Sequence, residues 1–199
     1  MENSKRLVVG ISGASGAILG IELLKSMRAV SGWETHLVLT SGARRTIQLE
    51  TAYSVEEVEA LAAKVHKLGD IGASIASGTF KTAGMVIVPC SMRTLAGVAT
   101  GFAENLLLRA ADVTLKERRT LVLVPRETPL NRIHLRNLVT ASDAGAVILP
   151  PMVAYYNKPS SVEEMTAHIV GKILDVFDIS MPGFFRWGGQ QAVDSIEPE

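Results

Sequence analysis

Short apolar runs alternate with longer amphipathic stretches along this chain. Residues 6–11 (RLVVGI) form an unbroken β-rich run, and residues 17–30 place apolar side chains at helical spacing. Residues 36–40 (HLVLT) predict a second strand, 85–88 (MVIV) a third, 121–124 (LVLV) a fourth and 146–149 (AVIL) a fifth. Strands that read as continuous Val/Ile/Leu runs are covered on both faces, and helical stretches between them point to a parallel sheet held between two helix layers. Residues 55–67 follow Ser54, carry two glutamates in the first turn and repeat apolar residues at Val55, Val58, Leu61, Ala62 and Val65. That pattern predicts a surface helix. Another helix is expected over 103–119 (AENLLLRAADVTLKERR). The third, fourth and fifth strands each stop at proline, at Pro89, Pro125 and Pro150. Three loops therefore leave one carboxyl edge, where open α/β sheets bind ligands. Residues 188–199 read as a frayed tail, which leaves residues 1–187 as a single α/β domain.

Composition narrows the function classes. Among 199 residues, 20 Lys and Arg balance 20 Asp and Glu, which leaves no basic footprint for nucleic acid or an anionic membrane surface. No stretch reaches about 18 apolar residues, so no spanning helix is expected, and the first apolar run is too short for a signal peptide. Cys90 is the single cysteine, and the four histidines do not fall in a zinc pattern. A reducing cytoplasm suits that usage. Zero net charge with 47% hydrophobic residues points to self-association, because little repulsion opposes the pairing of apolar surface.

The first strand runs into GISGASGA, residues 10–17, with Gly10, Gly13, Gly16 and Gly20 at near-regular spacing. Glycines let a phosphate approach the backbone, and Ser12 and Ser15 add hydroxyls where the next helix presents its positive end. The chain has no GK[ST], so this is not a nucleoside triphosphate P-loop. A dinucleotide fold uses an acidic residue after the second strand to hold the adenosine ribose. Thr40 and Ser41 stand there instead and suit a phosphate or ribityl chain, favouring FMN over NAD. The third strand leads into PCSMRTLAG, residues 89–97, where Ser91, Arg93 and Thr94 open a helix and offer a second anion or ring-edge site. Cys90 has no histidine near it in sequence and reads as a small buried thiol. On the helix over 103–119, Arg109, Asp112 and Lys116 share a face, compatible with a solvated ion-pair stripe or with an anionic ligand. The fourth strand leads into VPRETPL, with Arg126 and Glu127 at the ligand edge, and the fifth into PPMVAYYNKP, with Tyr155 and Tyr156. No acidic cluster suits Mg²⁺, and no His/Cys/Asp grouping suits zinc or a hydrolytic triad.

Together, GISGASGA, GMVIVPCSMRTL, RAADVTLKERRTLVLVPRETPL and ILPPMVAYYNKP resemble the UbiX family of flavin prenyltransferases, which includes the Pad and aromatic-decarboxylase B subunits. The resemblance covers about residues 7–187. It implies a Rossmann-like, flavodoxin-like three-layer α/β sandwich with a central parallel sheet, FMN bound at a subunit interface, and a homo-oligomer, commonly a dodecamer. It also implies metal-independent transfer of a dimethylallyl group from dimethylallyl monophosphate to N5 and C6 of reduced FMN, the prenylated FMN then serving a UbiD-type decarboxylase. Carried over by position, Gly13, Ala14 and Ser15 match the FMN-binding glycine loop and Thr40 the hydroxyl after the second strand. Ser91, Met92, Arg93 and Thr94 match the second flavin contact, and Arg126 the arginine on the cofactor. Arg109, Lys116, Glu127 and Tyr156 fall where the family surrounds the prenyl phosphate. Lys172 stands where the family usually has arginine, keeping the charge without the bidentate fork. Ser15 and Glu127 are the candidates for moving protons at N5 and at the phosphate. Two other readings share the fold. One is an FMN carrier that only hands cofactor to a decarboxylase. The other is a flavin-dependent cysteine decarboxylase, whose PASANT loop is PCSMRT here and whose early-helix histidine has no counterpart, His66 lying in an unrelated context.

Overall fold

The computed structural model describes residues 4–184 and 186; the tail expected over 188–199 lies outside them. The strands β1 (Lys5–Ile11), β2 (Trp33–Leu39), β3 (Lys64–His66), β4 (Gly84–Cys90), β5 (Thr120–Pro125) and β6 (Val147–Ile148) form one all-parallel sheet in the order β3-β2-β1-β4-β5-β6. The helices α1 (Ala17–Arg28), α2 (Ser41–Glu50), α3 (Val55–Glu59) and α7 (Val162–Asp175) pack on one face. The other face carries α4 (Met92–Thr100), α5 (Leu106–Lys116) and α6 (Arg132–Asp143). Successive strand residues go to opposite layers: Leu7, Val9, Ile11, Val86 and Val88 join the first core, whereas Val8, Met85 and Ile87 join the second. That two-sided burial is why the strands read as continuous apolar runs. The Rossmann-like three-layer sandwich expected from the sequence is the architecture found.

The chain moves outward from β1 to β3 and then returns to β4 on the other side of β1. This reversal opens a crevice between the carboxyl ends of β1 and β4. Ser12 forms its floor. Buried there, it donates to the Pro89 carbonyl from its N–H (3.1 Å) and its hydroxyl (2.9 Å), and the hydroxyl accepts from the Ser91 N–H at 2.7 Å. The hydroxyl read from sequence as a phosphate donor is therefore committed to tying two strands together.

Two further expectations change. The helix expected over 55–67 stops at Glu59, and Lys64–His66 pairs with β2 as an edge strand. Val55 and Val58 are buried as the helical repeat requires. Beyond them, the open edge of β2 presents N–H and C=O groups that a strand can satisfy and a helix cannot. The third strand does not end at Pro89 but runs on to Cys90, with a register shift between Ile87 and Cys90 along β5. The proline, which has no N–H to donate, falls in that irregularity.

Candidate active site

Parallel strands joined by helices place the helix N-termini at the carboxyl edge of the sheet. Three of them, from α2, α4 and α5, meet at a cavity of about 300 Å³. Each helix has its own cap: the Thr40 hydroxyl accepts from the Ala43 N–H (3.0 Å), the Ser91 hydroxyl from the Thr94 N–H (3.3 Å) and the Asn105 side-chain Oδ1 from the Leu108 N–H (3.1 Å). One side-chain cap leaves further first-turn N–H groups of α2 and α4 to face the cavity, whereas at α5 the Leu106 N–H already donates to the Leu68 carbonyl at 2.9 Å, so that helix adds mainly its dipole. An ion pair between Arg93 and Glu104, 2.9 Å apart, lines the same cavity. Main-chain N–H groups with the hydroxyls of Ser41 and Thr94 form a donor set that fits the phosphate and ribityl end of FMN.

The glycine loop contributes in a different way from that expected. A Cβ on Gly13 would lie 2.9 Å from the Cα of Gly42, so glycine here lets the β1 loop touch the start of α2 and close the cavity. Gly16, at φ 100°, turns the chain into α1. The positive end of α1 is already occupied from within the chain. The Glu50 carboxylate accepts from the N–H groups of Gly16 (2.8 Å) and Ala17 (3.3 Å). A phosphate expected at the start of α1 thus meets a carboxylate, whereas the converging ends of α2, α4 and α5 carry no such internal carboxylate cap among the described residues.

Glu50 joins Ser15 and Arg126 in one cluster at this edge. Desolvation pulls the Glu50 carboxyl upward, but hydrogen bonds from Gly16, the Ser15 hydroxyl and Ala17, together with the Arg126 charge, hold it below the usual carboxylate range. The backbone N–H of Arg126 donates to the Cys90 carbonyl at 3.1 Å, which fixes the β5 loop beside the crevice. Cys90 itself is buried in apolar surroundings that push its thiol up to about 12, so it is a packing group and not a nucleophile. Sequence reasoning missed Glu50. Its one local signal is a carboxylate on the last residue of a helix, where the helix dipole disfavours negative charge.

The chain matches the Flavoprotein family over residues 1–178. It is 56% identical over 187 residues to the probable UbiX-like flavin prenyltransferase of Streptomyces sp. (strain D7), with 94% of each chain covered. The chain belongs to the UbiX-like flavin prenyltransferases. Two solved members of this structural group superpose with a TM-score of 0.91. One is the dodecameric FMN-dependent UbiX-like decarboxylase from Escherichia coli O157:H7, 49% identical, covering 92% of this chain and all of that one. The other is AnUbiX in complex with FMN and dimethylallyl pyrophosphate, 50% identical, covering 93% of this chain and 98% of that one.

The positions carried over from the UbiX-like family separate into two places. Gly13, Thr40, Ser91, Arg93 and Thr94 line the cavity, Ala14 and Ser15 lie in the adjoining loop, and Met92 packs partly against the core below α4. Arg126 stands at the Glu50 cluster. Glu127 follows it, exposed, its carboxylate accepting from the N–H of Thr128 at 3.0 Å. Arg109, on the outer side of α5, pairs with Asp112 at 2.6 Å, so the cation that interrupts an apolar helix has its partner within the chain. Tyr156 is exposed and meets the His168 ring edge-on. Lys116 and Lys172 lie elsewhere. Both occupy the last turns of their helices, at the amino edge of the sheet, where Lys116 pairs with Glu117 and Lys172 with Asp175 (3.2 Å). The length of α5 alone, about 16 Å at 1.5 Å per residue, keeps Lys116 away from the crevice of its own chain.

Proposed function

We infer that this chain transfers a dimethylallyl group from dimethylallyl monophosphate to N5 and C6 of reduced FMN, producing prenylated FMN for a UbiD-type decarboxylase. The observation that carries this reading is the anion cavity at three helix N-termini, set beside the Ser15–Glu50–Arg126 cluster on one sheet edge. When bound, reduced FMN supplies the electron-rich N5 and C6 that take the allylic carbon. The chain's own groups do the rest. N–H groups of α2 and α4, with Ser41 and Thr94, hold the FMN phosphate, while Gly13 and Ala14 let the ribityl chain lie close to the backbone. Ser15, with the ionised Glu50 behind it, takes and returns the proton at N5. Arg126 fixes the cofactor edge and neutralises Glu50. Departure of the allylic phosphate requires positive charge at the leaving oxygens, supplied by Arg109, Lys116 and Lys172, with the Tyr156 hydroxyl donating and Glu127 handling the phosphate proton.

Lys116 and Lys172 reach that phosphate only from a second copy, which makes the site composite. Support comes from the apolar surface left by one chain: Ile133, Leu135 and Val139 on α6, with Met152 and Tyr155 in the following loop, are 49–75% exposed. Surface of that kind is covered by association. The E. coli neighbour is dodecameric, and the same assembly is proposed here. A cytoplasmic location belongs to the same reading, the one cysteine being a buried free thiol.

Protein incubated anaerobically with reduced FMN and dimethylallyl monophosphate is expected to release flavin heavier by one C5H8 unit. Unmodified FMN, released from protein shown to bind it, would leave only a carrier. The composite site has its own test. Lys116→Ala and Arg126→Ala are each expected to lose about tenfold or more of the activity. Co-expressed, the two variants regain activity, because a site drawing Arg126 from one chain and Lys116 from another is intact in roughly one quarter of random pairings. A mixture as inactive as its components would place both residues in one chain's site and end the composite reading.

A further inference from the structure

The segment that carries Tyr156, residues 149–161, has neither helix nor strand, so contacts from outside decide where its ring lies. His168, halfway along α7, supplies one. Its ring meets Tyr156 edge-on, with centroids 6.1 Å apart and planes at 85°, and packs against Phe184 at 5.3 Å. Asn157, the residue after Tyr156, and His168 line one cavity of about 280 Å³ together with Glu164 and Phe184. Two buried polar atoms, Asn157 Oδ1 and His168 Nδ1, have no hydrogen-bond partner among the described residues. Packing alone would be met by a phenylalanine at 168, with no nitrogen to leave unpaired. The Glu164 carboxylate is already engaged, accepting from the Ser160 N–H (2.7 Å) and hydroxyl (2.9 Å) and so holding the far end of the segment to α7. Both residues line one polar cavity, and each buries an atom that still needs a partner, a need that a single water held between them would meet.

We propose that Asn157 and His168 are positioning residues for Tyr156. Joined through an ordered water in this cavity, they pin the Tyr156 segment to α7 and set the hydroxyl that binds the donor phosphate. The proposal rests on the reading of Tyr156 as a donor ligand. The test measures prenylation kinetics of the FMN-loaded protein with dimethylallyl monophosphate. His168→Phe keeps an aromatic neighbour for Tyr156 and removes the nitrogen, and Asn157→Leu removes the oxygen at similar volume. Each is expected to raise the donor KM about tenfold, the worth of one hydrogen bond to a charged group, with kcat and FMN affinity within about twofold of the parent. The double variant is expected to be no worse than either single, because each change removes the same bridge. Tyr156→Phe is measured alongside. If it raises KM while His168→Phe does not, or if the two losses add, the positioning role is overturned and Tyr156 remains a donor ligand. If Tyr156→Phe leaves KM unchanged, the reading of Tyr156 falls and the proposal falls with it.

Discussion

Glu50→Gln is expected to slow prenyl transfer by about 10²- to 10⁴-fold in a single turnover while FMN still binds. Glutamine has the size of the native side chain and keeps an amide oxygen to accept from the Gly16 and Ala17 N–H groups, so the start of α1 remains capped. It cannot take a proton, and it removes the negative charge that Ser15 donates to and that Arg126 faces. Hydrogen bonds and the Arg126 charge hold this carboxyl below the usual range, so it stays ionised and keeps a negative charge against the Ser15 hydroxyl. Rapid-mixing measurements under anaerobic conditions, paired with an FMN titration, separate chemistry from binding. A transfer rate within about twofold of the parent, with FMN bound, would remove Glu50 from the proton path. Glu127→Gln in the same assay is expected to slow transfer less and to raise the donor KM, since its exposed carboxylate holds only the neighbouring Thr128 N–H.

The second large effect is on stability in mild acid. His36 on β2 and His66 on β3 are buried with their rings stacked, one imidazole N–H donating to the other ring across 2.9 Å between His36 Nδ1 and His66 Nε2. Desolvation, then the charges of His66, Lys64 and Arg6, lower His36 from 6.5 to about 4, with Glu34 opposing. His66 is lowered by desolvation and by Lys64, with Asp70 opposing. The Phe80 ring packs on His36 and carries the Arg6 guanidinium on its face. In the unfolded chain both histidines protonate near pH 6.5, whereas in the folded protein they remain neutral to lower pH. Stability is therefore intact above about pH 6.5 and falls as the pH drops towards 4, by about 3 kcal/mol from His36 alone at 1.4 kcal/mol per pH unit. Urea midpoints at pH 7, 6 and 5, at fixed protein concentration, should show that slope. Acid also titrates carboxylates such as Glu50, so the comparison is with His36→Phe/His66→Leu, an apolar pair of similar bulk. An equally steep slope in the double variant would show that the histidines are not its source.

Part of the site was legible locally and part was not. The glycine loop, Thr40, Ser91, Thr94 and Arg126 were readable because each follows directly from the end of a strand, and in a parallel sheet all such ends lie on one edge. Glu50 was not readable. It stands 34 residues from the Gly16 N–H it accepts from, and nothing in ARRTIQLE marks which distant backbone groups it will meet. Ser12 was misread for the same reason: its partners, Pro89 and Ser91, lie more than 75 residues away. Lys116 and Lys172 were readable as cations, but not as residues at the opposite edge, because spacing along a helix gives the face and not the end that meets a ligand.

By itself, then, the sequence determined the strand runs, their two-sided burial and the parallel α/β class, all set by side-chain periods within a few residues, and it also carried the family. Tertiary structure alone decided that residues 64–66 leave the helical pattern to close the edge of β2, that the Glu50 carboxylate caps α1, and that three separate helix ends line one cavity. Each of these depends on backbone groups brought together from distant parts of the chain, where hydrogen bonding and charge outweigh local preference.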